Sequence, residues 1–222
     1  MKTHTIAMAC ALVLAAAAAQ AQTAGTWTLR GGLTSITPQV DSGNLSASSL
    51  PGTQIDADGD ARLSGGITYM LTDHWALDLP LALPFTHDLT GAGAINAVGK
   101  IGETRALPIS LLAQYRFGAP TAVFRPFVGA GLTYAHLYKE RGNAALTAIT
   151  GGTASNPTTL SMESRLGTSL QVGARVNLNP RWFVEGSVIK TFVKTKGTLS
   201  TGQSIDVTLN PLTLCLGLGY VF

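Results

Sequence analysis

The feature that most constrains this chain is a two-residue rhythm recurring from Thr26 to Phe222, in which apolar side chains alternate with small or polar ones. A period of two belongs to β-strands, whose successive side chains face opposite ways. Eight such segments are marked off. The first, Thr26 to Ile36, sets Trp27, Leu29, Gly31 and Leu33 against Thr28, Arg30, Gly32 and Thr34. The second spans Asp60 to Met70, and the third, His74 to Phe85, puts Trp75, Leu77, Leu79, Leu81, Leu83 and Phe85 on one face. The fourth carries Leu107, Ile109, Leu111, Ala113, Tyr115 and Phe117, and the fifth runs from Phe124 to Tyr138. The sixth is the cleanest, with Leu166, Leu170, Val172, Ala174 and Val176 between Gly167, Ser169, Gln171 and Arg175. Trp182 to Phe192 and Leu212 to Phe222 complete the set.

The connections alternate in length. Thr72-Asp73, Gly118 to Thr121 and Asn179-Pro180 are tight turns. The others are long: polar from Thr37 to Gly59, Gly/Ala-rich up to Gly102, polar from Lys139 to Glu163, and a loop at Gly197 to Ser204. Long loops at one end and short turns at the other are the asymmetry of bacterial membrane barrels.

The two faces decide what surrounds the strands. A soluble sandwich or lipocalin-like barrel would turn its apolar face inward and needs a charged exterior. Only 12% of this chain is charged, about half the usual share, and the second face is small, polar and glycine-rich. It fits a narrow lumen. Trp27, Trp75, Tyr115, Phe117, Phe124, Trp182, Tyr220 and Phe222 fall at the turn-side strand ends, where a lipid–water boundary holds aromatic rings. The expected fold is all-β, an eight-stranded antiparallel transmembrane β-barrel over residues 22–222.

Residues 1–21 read as a secretory signal. Lys2 precedes an apolar stretch from Ile6 to Ala19, and Ala19-Gln20-Ala21 is a small-x-small cleavage site. Cys10 goes with the signal and leaves Cys215 alone, which excludes an internal disulfide. The net charge of +3 comes with no basic stripe, so nucleic acid is excluded as a partner.

Turning the apolar face to lipid sends Arg30, Asp78, Gln114, Arg116, Arg125, Arg175 and Glu185 into the lumen near the turn end. An eight-stranded barrel is barely wide enough for its side chains, and a lone buried charge is costly where a paired one is tolerated. A salt-bridged plug is expected, with Arg175 and Glu185 opposite one another across the Asn179-Pro180 turn. Near the outer end the same parity brings Ile36, Ala82, Pro84, Ala135, Leu137, Ile189 and Val193 inward. An apolar upper lumen over a polar base suits a hydrophobic solute, or is plain packing of a closed barrel. Ile205, Val207 and Leu209 have the opposite parity to the residues after Pro211, so either they join that lumen or a bulge turns them to lipid. Pro80, Pro84 and Pro108 remove ladder donors from neighbouring strands and point to a weakened wall, through which a solute leaves sideways.

Catalytic readings are weak. His87-Asp88 has no serine or cysteine fixed to it by spacing, no cofactor motif or zinc spacing occurs, and Asp56 to Asp60 lacks the distal glutamate of a calcium loop. A barrel without transport, meeting an external partner through its loops, is the second class of function.

Three stretches resemble the OmpW family of outer-membrane proteins: Tyr69 to Phe85 (YMLTDHWALDLPLALPF), Leu107 to Gly131 (LPISLLAQYRFGAPTAVFRPFVGAG) and the ending Gly217 to Phe222 (GLGYVF). The similarity in layout covers Thr26 to Phe222. The resemblance implies a monomeric eight-stranded barrel in the Gram-negative outer membrane, with a narrow, partly hydrophobic channel for small hydrophobic compounds; from the residues themselves, no enzymatic activity and no cofactor are expected. The terminal Tyr220 and Phe222 resemble the signal such barrels present to their assembly machinery.

Overall fold

A computed structural model describes residues 22–222; the predicted signal segment, with Cys10, lies outside the described residues. In chain order the strands are β1 (Trp27–Thr37), β2 (Asp41–Ser42), β3 (Thr53–Ala57), β4 (Asp60–Met70), β5 (Trp75–Ala82), β6 (Phe85–Gly93), β7 (Lys100–Arg116), β8 (Phe124–Gly142), β9 (Leu160–Met162), β10 (Arg165–Asn177), β11 (Trp182–Phe192), β12 (Lys194–Leu199), β13 (Ser204–Thr208) and β14 (Leu212–Val221). One short α-helix, α1 (Ala144–Ile149), lies between β8 and β9, and a 3-10 turn (Asn96–Val98) between β6 and β7.

Eight of these strands form a closed antiparallel wall in the order β1, β4, β5, β7, β8, β10, β11, β14 and back to β1. Closure is made by the first and last strands, from Thr28 opposite Val221 to Thr37 opposite Leu212. No wall strand is left as a free edge, which is the condition for spanning hydrocarbon. The eight crossings expected from the alternation are all present.

The alternate apolar residues face outward. Leu170 is 55% exposed and Leu216 63%, whereas Arg175 is fully buried. Leu29, Leu33, Leu63, Leu81, Ile109, Leu132 and Leu166 continue the same belt around the barrel. At the turn end Trp27 packs on Tyr69, Trp75 on Tyr115, and Trp182 on Tyr220, with ring centroids 4.6, 5.2 and 5.1 Å apart.

Above the belt the barrel wall goes on, and the alternation changes phase. The stretch expected to be a Gly/Ala-rich loop up to Gly102 is mostly strand: β6 pairs with the start of β7 from Phe85 opposite Ala106, with a bulge at Leu89/Thr90. Only residues 94–99 turn, flanked by Gly93 and Gly99 at positive φ. Phe85, expected on the lipid face, is fully buried inside, and His87 and Leu89 follow it inward. The reason is the surrounding medium. Beyond the bilayer the wall meets water, so polar Thr86 and Asp88 turn out and apolar residues turn in, as in a soluble sheet. The break at Leu83 and Pro84 between β5 and β6 absorbs the extra residue.

The same change occurs on the last crossing. Ile205 and Val207 are buried inside, and the chain shifts phase at Asn210, whose φ is +34°, before β14. The loop expected at Gly197 to Ser204 is shortened to the tip of a β12–β13 hairpin. With β2 and β9 this hairpin makes a second, four-stranded sheet at the outer end. Leu89, Ile101, Leu146 and Leu199 form its apolar core, closed by α1, whose first turn is capped by Asn143 accepting from the Leu146 N–H at 3.1 Å.

Leu170→Arg, near the middle of β10 on the lipid face, is expected to cost about 2–4 kcal/mol of stability, as arginine does at a bilayer midplane. Reversible denaturant unfolding in lipid vesicles measures it, and a loss near zero would place this face away from hydrocarbon.

Candidate functional site

The lumen is layered. At the turn end lie seven inward charged or amide side chains, six of them joined in one network. Arg30 binds Asp78 through two parallel bonds, Nη1 to Oδ1 at 2.7 Å and Nη2 to Oδ2 at 3.0 Å, and its Nη1 lies 3.4 Å from Glu185 Oε1. The second Glu185 oxygen accepts from Arg175 Nε at 2.9 Å and from Arg116 Nη1 and Nη2 at 3.2 Å. Arg175 and Glu185 are cross-strand partners of β10 and β11. Arg116 also donates to Gln114 Oε1 at 2.6 Å, and Gln114 in turn donates to Gln171 Oε1 at 2.8 Å. Arg125 lies apart from the acids and donates to the Asp73 carbonyl at 2.6 Å and to Gln22 Oε1 at 3.2 Å.

Four guanidinium groups against the two carboxylates Asp78 and Glu185 leave this cluster formally at +2. Aromatic faces take part of the excess: Arg175 sits 3.5 Å from the centroid of Phe183 and Arg116 4.8 Å from that of Phe127. Two glycines give the groups room. A Cβ at Gly66 would stand 2.6 Å from the Arg30 guanidinium carbon, and one at Gly219 2.1 Å from the Phe183 ring. Most of the cluster is fully buried, and its side chains pack the lumen at this level.

Above it a chain of hydroxyls runs across four strands, β7, β8, β10 and β11. Ser110, Thr133, Ser169 and Thr191 are joined at 2.7, 2.6 and 2.8 Å, while Thr34 donates to Ser64 at 2.8 Å. Of these, Thr34, Ser110, Thr133 and Thr191 floor an apolar cavity of about 1120 Å³, counting the space in its open mouth. Its wall takes Ile36 from β1, Ala82 from β5, Ala135 and Leu137 from β8, Ile189 from β11, and Val193 between β11 and β12. Pro84, expected in this lining, is not among the lining residues; it sits at the break in the wall and Phe85 takes the inward place. Val207 and Leu209 line the cavity as well, which settles the parity question before Pro211 in favour of the lumen. The alternation within the belt could not reveal Phe85, His87 or Leu89, because their phase is that of the aqueous zone. The signal that marks them is the polar set Thr86, Asp88 and Thr90 between them.

The wall has a seam. β5 pairs with β7 only from Trp75 opposite Tyr115 to Asp78 opposite Leu112, and pairing with β7 resumes at Phe85 opposite Ala106. Residues 79–84 and 107–111 make no ladder with one another, although 79–83 stay bonded to β4 and 107–111 to β8 on the other side. Pro80, Leu81, Ala82 and Pro108 line the cavity along this seam, and Leu81 is also exposed on the lipid side.

Two titratable side chains apart from Cys215 line the cavity, Asp56 and His87. His87 Nδ1 is 2.7 Å from the Asp58 carbonyl. Burial pushes its imidazole below the ordinary value, against the weaker opposing effect of that bond. Asp88, its neighbour in sequence, turns to the outer surface and meets Lys100 Nζ at 2.7 Å.

With this geometry in view, the comparisons with known proteins are specific. The sequence pattern of the OmpW family matches residues 23–222. The chain is 32% identical to outer membrane protein W of Vibrio cholerae serotype O1 and 28% identical to the dibenzothiophene metabolism operon protein PahQ of Pseudomonas aeruginosa. The first match covers 100% of both chains and the second 88% of both. Among solved structures, the outer membrane protein OprG of Pseudomonas aeruginosa superposes with a TM-score of 0.81 at 26% identity, over 91% of this chain and 99% of that one.

Glu185→Gln removes the charge that three arginines share, and is expected to cost about 3–5 kcal/mol, as breaking one partner of a buried ion pair does. Changing Arg175 and Glu185 together to methionine is expected to cost less than the sum of the single changes in denaturant unfolding. An NMR titration of His87 is expected to show a midpoint below that of an exposed imidazole, about 6.5.

Proposed function

Starting from the fact that the chain belongs to the OmpW family of outer-membrane proteins, we propose that it takes small hydrophobic molecules from the outer face into the barrel and releases them sideways into the membrane. The observation that carries this reading is the combination of an apolar cavity, open at the outer end, with a stopper of buried ion pairs beneath it. A solute entering from outside meets an apolar wall and a blocked lumen. The unpaired seam beside Pro80 and Pro108 is the remaining way out. Prolines suit a wall that parts in lipid, since they have no N–H to leave unbonded. The name of the PahQ relative ties that protein to the metabolism of an apolar aromatic compound, which agrees with a hydrophobic cargo here.

The lumen is a passage and not a catalytic centre. His87 and Asp88 face opposite sides of the wall, so the one suggestive pair is taken apart by strand geometry. We further read residues 1–21 as an export signal, the barrel as a monomer, and the terminal Tyr220 and Phe222 as the segment shown to the assembly machinery. Those two rings pack together at 5.1 Å, with Phe222 exposed at the turn end.

Reconstituted in vesicles, the protein is expected to speed entry of an apolar fluorophore over protein-free vesicles while conducting no steady ion current. Equal entry with and without protein would overturn the transport reading and leave a barrel whose outer sheet meets an external partner. Pro80→Val with Pro108→Val supplies two N–H donors to the seam. It is expected to slow uptake while leaving equilibrium binding of the fluorophore unchanged; unchanged uptake would rule out the seam as the exit.

A further inference from the structure

The cavity is apolar but not featureless. Thr104 is buried in its wall, and its hydroxyl has no hydrogen-bond partner among the described residues. A buried hydroxyl left unbonded costs about as much as a lost hydrogen bond, so such a group in a cavity wall asks for a ligand. Opposite Thr104 in the β6–β7 ladder stands His87, which lines the same cavity. The bond from His87 Nδ1 to the Asp58 carbonyl fixes the tautomer, because a carbonyl only accepts. Nδ1 therefore carries the hydrogen, and in the neutral ring Nε2 keeps a lone pair and accepts. The two facing residues thus offer one donor and one acceptor, which is the complement of a single hydroxyl group.

Charge narrows the choice further. No lysine or arginine lines the cavity, and its carboxylate, Asp56, is exposed at the mouth. A carboxylate solute would lose its hydration without gaining a cation. A hydroxyl loses little and finds both partners.

We propose that the His87–Thr104 pair is a recognition subsite for a neutral hydroxyl on an apolar body, an aliphatic alcohol or a phenol. The solute's O–H donates to His87 Nε2 and its oxygen accepts from Thr104 Oγ1. Phe85, stacked on His87 with ring centroids 6.4 Å apart, lines the wall beside the subsite, where the apolar body rests. The subsite lies above the seam, so the hydroxyl is read before the solute reaches the exit. This inference rests on the apolar cavity being the binding site, and the experiment separates the two.

The full barrel in phosphatidylcholine vesicles is loaded with an apolar naphthylamine fluorophore, and displacement is followed with octane, 1-octanol and, at pH 8, octanoate. Octane is the probe of the apolar cavity itself. Failure of octane to displace the fluorophore from the unaltered protein would sink the apolar-cavity reading and this proposal with it. His87→Phe and Thr104→Val keep the approximate shapes while removing the acceptor or the donor. In each, the concentration of 1-octanol needed for displacement is expected to rise about fivefold, the factor one net neutral hydrogen bond supplies. Octane and octanoate are expected to shift by less than about twofold, within which neither gains nor loses such a bond. A shift for 1-octanol no larger than for octane overturns the subsite. A loss for octanoate as large as for 1-octanol overturns its restriction to neutral hydroxyls. Unchanged octane displacement shows that both variants are folded.

Discussion

Hydrocarbon offers no hydrogen bonds, and that single property of the surrounding medium organises the molecule. Every backbone donor and acceptor at membrane depth must be met within the chain, so β1 closes on β14 over ten residue pairs and no edge is left. Closing with eight strands fixes a lumen so narrow that side chains fill it. The layered interior follows from there. Where the lumen is tight, charges gather and satisfy one another around Glu185. Where hydroxyls replace charges the space begins to open, and above them apolar residues leave a cavity. The seam between β5 and β7 is the exception to closure, and it falls where proline has removed donors that lipid would have left unmet.

The interior cluster shows how a set of buried ions is made tolerable without being symmetrical. Glu185 serves three arginines and Asp78 serves one of them twice, while Arg125 is held by a backbone carbonyl and an amide. Buried ion pairs add little net stability compared with apolar packing. Their use here is positional: they fill a tube that water would otherwise enter, and their geometry depends on partners drawn from six of the wall strands.

The crossing strands were legible because each medium leaves its own phase in the alternation. Within the bilayer the outward set is Leu, Val, Ile and aromatic, and Leu29, Leu170 and Leu216 show it without ambiguity. The inward charged set was legible for the same reason, since parity alone sends Arg30, Asp78, Arg175 and Glu185 to one side. What parity could not show was where the medium changes. Phe85 continues the apolar series of its strand in sequence, yet it stands on the inner side because two residues at the Leu83–Pro84 break shift the register. Pro84 was misplaced for the same reason, and the ladder of β6 was hidden because its glycines and alanines resemble a loop. His87 and Thr104 come together only through a cross-strand pairing that no local pattern encodes.

The sealed base has a consequence for the cell that makes the protein. An outer membrane is a barrier, and most pores trade part of that barrier for uptake, since whatever passes one nutrient also passes protons, salts and toxic solutes. On the proposed route, a barrel whose base is packed with guanidinium and carboxylate groups makes no such trade.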